Sequence, residues 1–512
     1  MADQLSVHKV MCRGGLDTSR DVLAQGEQSP GSAIQLVNYE PAITGGYRRI
    51  NGYTNSYGTV TGVGSVLGVH VANGINDGIL ACRKPSSGNN YLHRWNAATS
   101  AWVAVTCGGS PTMTGVNKVR FSSFNFATKK VILTDGINPA ATYDGTTYTQ
   151  ITHSAAPTDP KYAVDFASHM FLAGDPAHPS KLFFSAPLAE TDFAAGNGAG
   201  VIQVGFDIVA IKPFRDALYI FGTDTIKALK GTSLANFALS GVTHNLGCMA
   251  TDSVIEIGGE LLFLSQDGIR PISGTSRIGD VELETISKDI QSVFNDILFS
   301  LDLDGLSAVV IRKKSQFRLF FSASESQGLI GGIRKGQEGF SFEFGQLLGL
   351  EATCASSGYI GQYEYIIHGS SNGKVHRQEE GNSFDGTEIF SVYQTPYLYM
   401  ENPEQRKIFH KITTYLRSEG DNEIVLSVVY DYDDVDVMNP TNYNITTKGA
   451  AAYFNEATYN STAVYSGNPS PIQATNIAGS GKSVSFKYVT NSTDASHSIQ
   501  GIVLTYGTGD LR

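Results

Sequence analysis

Residues 369–373, Gly369-Ser370-Ser371-Asn372-Gly373, match the pattern G-x-S-x-G. In a hydrolase this pattern sets a nucleophilic serine on a sharp turn between a strand and a helix. Here Lys374-Val375-His376-Arg377 follows, and it reads as a continuing strand. A hairpin turn is therefore expected, without a nucleophile. Asp431, Asp433, Asp434 and Asp436 gather carboxylates that could hold a hard cation. An EF-hand spacing fails, because Val435 takes a ligand position and no glycine follows. The expectation is a solvated loop, with cation binding left open. Arg48-Arg49 offers either an anion site or a solvated strand end, and the second is preferred. The histidines form no HExxH; His169, His178, His244, His368, His376 and His410 stand singly and suit ordinary core or surface roles. Cys12, Cys82, Cys107, Cys248 and Cys354 form no CxxC pair, so zinc is not expected. No glycine-rich phosphate loop leads into a helix. The expectation is a protein that is not an enzyme, with no catalytic, cofactor-binding or metal-binding residues and no cofactor.

The elements that would position any such group are clearest between Ile208 and Gly274, where one device is written twice. Asp216-Ala-Leu-Tyr-Ile-Phe-Gly-Thr-Asp224-Thr-Ile226 and Gly259-Glu-Leu-Leu-Phe-Leu-Ser-Gln-Asp267-Gly-Ile269 align Asp224 with Asp267, Ile226 with Ile269 and Gly231 with Gly274. Each copy reads as a buried strand, a tight turn carrying aspartate and a second strand. The turn aspartate recurs at Asp135, Asp175, Asp224 and Asp267, and Asn372 marks a later copy. Repeats of roughly 40–50 residues suit the blades of a β-propeller. Six or seven blades are expected. Ser265-Gln266-Asp267-Gly268 is similar to the Asp-box of sialidase propellers, Ser-x-Asp-x-Gly-x-Thr-Trp, but its glycine comes one position early and the tryptophan is missing. Only the turn is left of that likeness.

Composition agrees with many short strands. The 512 residues include 55 glycines, about 11% against an average near 7%. A net charge of −11 argues against holding nucleic acid by phosphate neutralisation, although DNA can slide past a surface that does not bind it. Met1-Ala-Asp-Gln-Leu-Ser-Val7 has neither the basic start nor the apolar core of a signal peptide. Folding in a reducing cytosol is expected, which leaves the N-x-Thr sequons at Asn444, Asn460 and Asn491 without meaning. No run approaches the length of a membrane span, so no membrane insertion by this chain is expected.

Three parts are expected: an irregular N-terminal arm over 1–60 that joins the propeller, a propeller over 61–385, and a C-terminal β platform over 386–512. A short helix near 287–298 interrupts the propeller, capped by Ser287 and buried through Ile290, Phe294, Ile297 and Leu298. The platform has about five long strands, fit for an antiparallel sandwich, and carries a long polar insert at 439–481. The fold class is thus all-β.

The order of these features resembles the tail nozzle, or tail-hub, proteins of short-tailed bacteriophages, which are head-to-tail connectors. The likeness is carried by Gly14-Gly15-Leu16-Asp17, Pro30-Gly31-Ser32-Ala33 with Leu36-Val37-Asn38, and Gly45-Gly46-Tyr47-Arg48-Arg49-Ile50-Asn51-Gly52. Phe214 to Gly222 with Gly259 to Ile269, and Thr395-Pro396-Tyr397-Leu398 with Arg406-Lys407-Ile408-Phe409, extend it. The insert at 439–481 has no counterpart. The resemblance implies a virion structural protein made in the host bacterial cytoplasm and placed in the viral tail. It implies a homohexamer that extends the DNA-exit channel below the portal and adaptor proteins, holds tail fibre or spike proteins, and lets double-stranded DNA pass during genome ejection without specific binding. The alternatives are a carbohydrate-binding or glycan-cleaving propeller of the tail, and a cellular scaffold propeller.

Overall fold

The computed structural model describes residues 5–76, 78–111, 113, 115, 117–273, 285–294, 303–321, 327–335, 340–447 and 471–508. Seven units surround one axis, antiparallel within each blade except where Thr106–Gly108 lies parallel to Thr147–Gln150 at the outer side of the second. Their innermost strands are Val63–Val71, Arg120–Asn125, Tyr162–Phe166, Ala210–Phe214, Ile255–Ile257, Ser307–Ile311 and Cys354–Ile360, and all seven line a common central cavity. Six of these blades are sheets of their own. The unit that is sixth in chain order is the first part of a nine-stranded sheet that runs on into the platform. The architecture is an all-β propeller with a β platform.

The second strand of each blade explains the repeat. It lies between a neighbouring blade on either side, so both of its faces need apolar residues. His169–Ala173 and Gln316–Phe320 are buried at every position, and Glu260–Ser265 at all but the first. Asp135, Asp175, Asp224 and Asp267 all fall in the turn after this strand, in the second to fifth blades. Asp135 accepts the backbone N–H groups of Ile137 (3.0 Å) and Asn138 (2.8 Å), and Asp175 that of Ala177 (2.9 Å). At these two positions a short carboxylate closes its own turn, which is a physical reason for aspartate there. Asp267 instead grips Arg270, and Gly274 lies outside the described residues.

The segment expected as an arm, 1–60, is divided between the two bodies. Tyr53–Thr54 is the outer strand of the seventh blade, pairing Thr54 with Arg377 and Tyr53 with Gln378. The ring is therefore closed by a strand that precedes its first blade in sequence. Ser6–Met11 and Tyr47–Arg49 pair with His497–Thr508 in the platform. Gln35–Val37 joins blade to platform, parallel to Phe340–Leu348 on one side and antiparallel to Ile389–Gln394 on the other.

The platform is a sandwich of a seven-stranded sheet and the distal part of the nine-stranded one. Lys407–Ser418 and His497–Thr508 lie in the first, and Ile389–Gln394, Asn422–Tyr430 and Val484–Ser492 in the second. Phe409, Ile412 and Leu504 share one core with Leu426, Phe486 and Tyr488. The chain crosses from sheet to sheet between Ile389–Gln394 and Lys407–Ser418, between Lys407–Ser418 and Asn422–Tyr430, and between Val484–Ser492 and His497–Thr508.

Residues 291–294 form the start of the expected helix, and Ile297 and Leu298 lie outside the described residues. Ser287 does not cap it. Its Oγ accepts the backbone N–H of Ile269 (3.0 Å), because a neighbouring strand end is closer to hand than the helix's own amides. Residues 448–470 of the expected insert are likewise outside the described set; its flanks, Tyr443–Thr447 and Ile472–Asn476, are strands.

Candidate functional site on the propeller axis

Along the axis lies a cavity of about 390 Å³. That volume is in the range of small-molecule sites, roughly 300–1,000 Å³. At the start of the inner strands it is crossed by a charged brace. Lys118 and Arg120 stand in the second blade, and Asp252 immediately precedes the inner strand of the fifth. Asp252 lies 2.9 Å from Lys118 Nζ and 2.8 Å from Arg120 Nη2. Arg120 holds it in a fork, with Nε 2.9 Å from Oδ1. Lys118 also donates to Ser307 Oγ of the sixth blade (2.9 Å). Burial by itself would raise the Asp252 carboxyl, but Lys118 and Arg120 outweigh it and hold it below the usual carboxylate range. Because these contacts span the ring, the brace ties the second blade to the fifth and sixth.

Beyond the brace, Lys212 and Glu256 stand within the inner strands of the fourth and fifth blades, and Arg312 follows that of the sixth. Burial pushes the Lys212 ammonium below its usual range; Glu256 opposes this and Arg312 adds to it. Arg312 is engaged by Glu364 (3.6 Å) and donates to Ser357 Oγ (3.2 Å). On the opposite wall His70 stacks on Phe121, with ring centroids 5.3 Å apart, and bonds Ser123 Oγ at 2.7 Å. Burial takes its imidazole down to about 4.

A second charged cluster sits where the N-terminal segment, the sixth and seventh blades and the platform meet. Arg318 is fully buried, donates to Gln378 Oε1 (2.9 Å) and pairs with Glu379. Lys314 reaches Glu40 (2.6 Å) and Glu379, and Arg48 bridges Glu40 (3.1 Å) to Glu419 (2.6 Å). Desolvation would raise the Glu379 carboxyl, yet Lys314 and Arg318 hold it well below the usual range. Three cations meet three carboxylates, so this cluster is internally neutral.

The residues singled out in the sequence have the following places. Ser370 and Ser371 occupy the hairpin between Tyr363–Gly369 and Val375–Gln378, so the G-x-S-x-G turn leads into a strand. Arg48 and Arg49 are not a solvated strand end. Arg48 is ion-paired, and Arg49 is buried, donating to the carbonyls of Asp494 (2.7 Å), Ile389 (3.1 Å) and Ser492. Platform strands packing over them leave those carbonyls as their partners. Asp431 is engaged within the fold, accepting the backbone N–H groups of Lys482 (2.7 Å) and Ser483 (2.8 Å). Among the described residues no group of three or more His, Cys, Asp or Glu is placed to hold a metal ion. His169, His368 and His376 are buried, and the five cysteines are free thiols. Asn444 and Asn491 lie in platform strands, and Asn460 outside the described residues.

The axial residues Lys118, Arg120, Lys212, Asp252 and Glu256 escape a motif search. Their one signal is charge within or just before the first strand of a repeat, as in Lys118-Val119-Arg120-Phe121. That alternation says which face is polar but not what it faces.

Fold and cavity together define the class, a β-propeller protein bearing a β-sandwich platform. No protein-family model and no curated protein sequence matches the chain. Solved structures similar to it include the WD40 β-propeller domain of Doa1, at 12% identity and a TM-score of 0.38 over 64% of this chain and 98% of that one. Another is KlHsv2 with loop 6CD replaced by a Gly-Ser linker, at 10% identity and a TM-score of 0.31 over 52% and 80%. The propeller assignment rests on the blades and registers described above.

Proposed function

We propose that this chain is a structural component of a bacteriophage virion, one subunit of a homohexameric tail nozzle that extends the DNA-exit channel below portal and adaptor and holds fibres or spikes. The observation that carries the reading is the continuous nine-stranded sheet. It makes propeller and platform one stiff block through paired backbone, and it uses the N-terminal segment whose motifs carry the resemblance to nozzle proteins. Stiffness is what a conduit under internal pressure needs. The brace across the propeller axis, and a cavity of only about 390 Å³, leave no passage for a duplex within one subunit. In this reading DNA passes through the centre of the ring of subunits. A chain with a net charge of −11 suits such a passage, since it repels phosphates and lets them slide.

Native mass measurement of the purified chain, with imaging of the particles that contain it, tests the proposal. A ring of about six copies and density below the portal are expected. A monomer at high concentration with no place in a particle would overturn it. The glycan-cleaving alternative needs two carboxylates roughly 5–9.5 Å apart, one of them protonated. Asp252, the carboxylate of the axial brace, is held ionised by its two cations, which does not favour that role. Release of oligosaccharide from host surface polysaccharide would decide for the alternative.

A further inference from the structure

We propose that the axial cavity is a binding site for a small oxyanion, a phosphate or carboxylate group, with Lys212 as its principal contact. Three observations carry this. The cavity has the size of a small-ligand site and is walled by all seven blades. Its lining holds four cations, Lys118, Arg120, Lys212 and Arg312, against two carboxylates, Asp252 and Glu256, in a chain whose net charge is −11. The pairings do not balance. Asp252 is shared by Lys118 and Arg120, and Arg312 is engaged by Glu364 from outside the cavity.

The Lys212 side chain is half-buried and has no ion pair or hydrogen bond among the described residues, and Glu256 influences it without contact. One guanidinium nitrogen of Arg120, Nη1, is also buried without an acceptor. Cations that outnumber the carboxylates around one cavity raise the local positive potential and favour the entry of an anion. The junction cluster is the counter-example within the same molecule. There three cations meet three carboxylates, and no cation is left over. A cation as ligand is disfavoured, because Asp252 is already committed and Glu256 stands alone.

The site is built from one chain alone, so it does not depend on the nozzle reading. Calorimetric titration of the whole protein with inorganic phosphate, and separately with citrate, against chloride at matched ionic strength tests it. The two arms separate a phosphate site from a carboxylate site. Saturable binding of at least one of them is expected. Lys212→Met should weaken it roughly tenfold or more, the loss of a charge-assisted contact. Glu256→Gln, which removes a competing carboxylate, should strengthen it, and Lys230→Met, in the third strand of the fourth blade, should leave it unchanged. Should Lys212→Met fail to fold, amine acylation of the wild-type protein gives the second readout: Lys212 should be modified early and be protected by the bound anion. Absence of binding beyond the ionic-strength effect overturns the proposal. So does wild-type affinity in folded Lys212→Met, or acylation of Lys212 that the anion does not slow.

Discussion

The propeller axis and the propeller–platform junction both set carboxylates between pairs of cations, and they differ in what surrounds them. At the junction Glu40 and Glu379 are each about 1% exposed, and Arg48, Lys314 and Arg318, with Glu419 at the rim, complete a neutral network that also engages Gln378. On the axis Asp252 keeps about 23% exposure and faces two cations, with open volume beside it. A balanced network with a dry centre acts as a weld, since no buried member can leave without stranding a charge. An unbalanced network beside a cavity can exchange partners with water or a ligand. Two clusters of similar composition are thus suited to different tasks by their solvation.

The widest separation between the two should come from deleting one charge in each. Arg318→Met removes the fully buried cation of this network, leaving Glu379 to Lys314 alone, and is expected to lower stability by about 3–5 kcal/mol. Urea unfolding at neutral pH measures it. Asp252→Asn is expected to cost less, about 1–3 kcal/mol, because cavity water can reach the abandoned Lys118 and Arg120. An equal loss in the two variants would break the distinction.

Acid should also discriminate. His497 is buried between Tyr39 Oη (2.8 Å) and Asn422 Oδ1 (3.0 Å), and burial takes its imidazole from 6.5 down to about 3. A base with a depressed folded value is neutral in the native protein, so its contribution is complete above about 6.5 and is lost as pH falls toward 3. In that window the slope is about 1.4 kcal/mol per pH unit. His368 and His376, stacked at 5.0 Å beneath the closing strand residue Tyr53, shift in the same direction. Glu379 adds a second loss at lower pH: its carboxyl is held down, so its contribution is present above the usual glutamate value and lost as pH falls through its own. Urea midpoints at a series of pH values should therefore fall below neutrality, and His497→Gln should flatten the first part of that fall. The smallest effect is expected at the hairpin. Ser371→Ala should change stability by less than about 0.5 kcal/mol and abolish no activity. A lost hydrolytic activity would instead restore a nucleophile at 369–373.

The blades were legible because each repeat is local. A strand, a turn and a returning strand all lie within a few residues; Asp135, Asp175, Asp224 and Asp267 mark that turn four times, and the first two bond its backbone. The Tyr53–Thr54 closure was not legible, since a two-residue strand paired with residues more than 300 positions away has no periodicity to read. The division of the long C-terminal strands between two sheets was hidden for a related reason. Alternation of Ile424, Leu426 and Val428 shows that one face is buried, but not against which sheet.

By itself, then, the sequence determined the all-β class, the repeated blades, the hairpin at 369–373 and the strand character of the platform, because hydrophobic period and turn chemistry act over short range. Only the tertiary structure decided that Arg48 and Arg49 are internal, that the N-terminal segment closes the ring and joins the two bodies, and that Lys118, Arg120, Lys212, Asp252 and Glu256 meet on one axis. Those outcomes depend on which charges are brought together and how much water is left between them. Spacing along the chain does not encode that, and packing in three dimensions sets it.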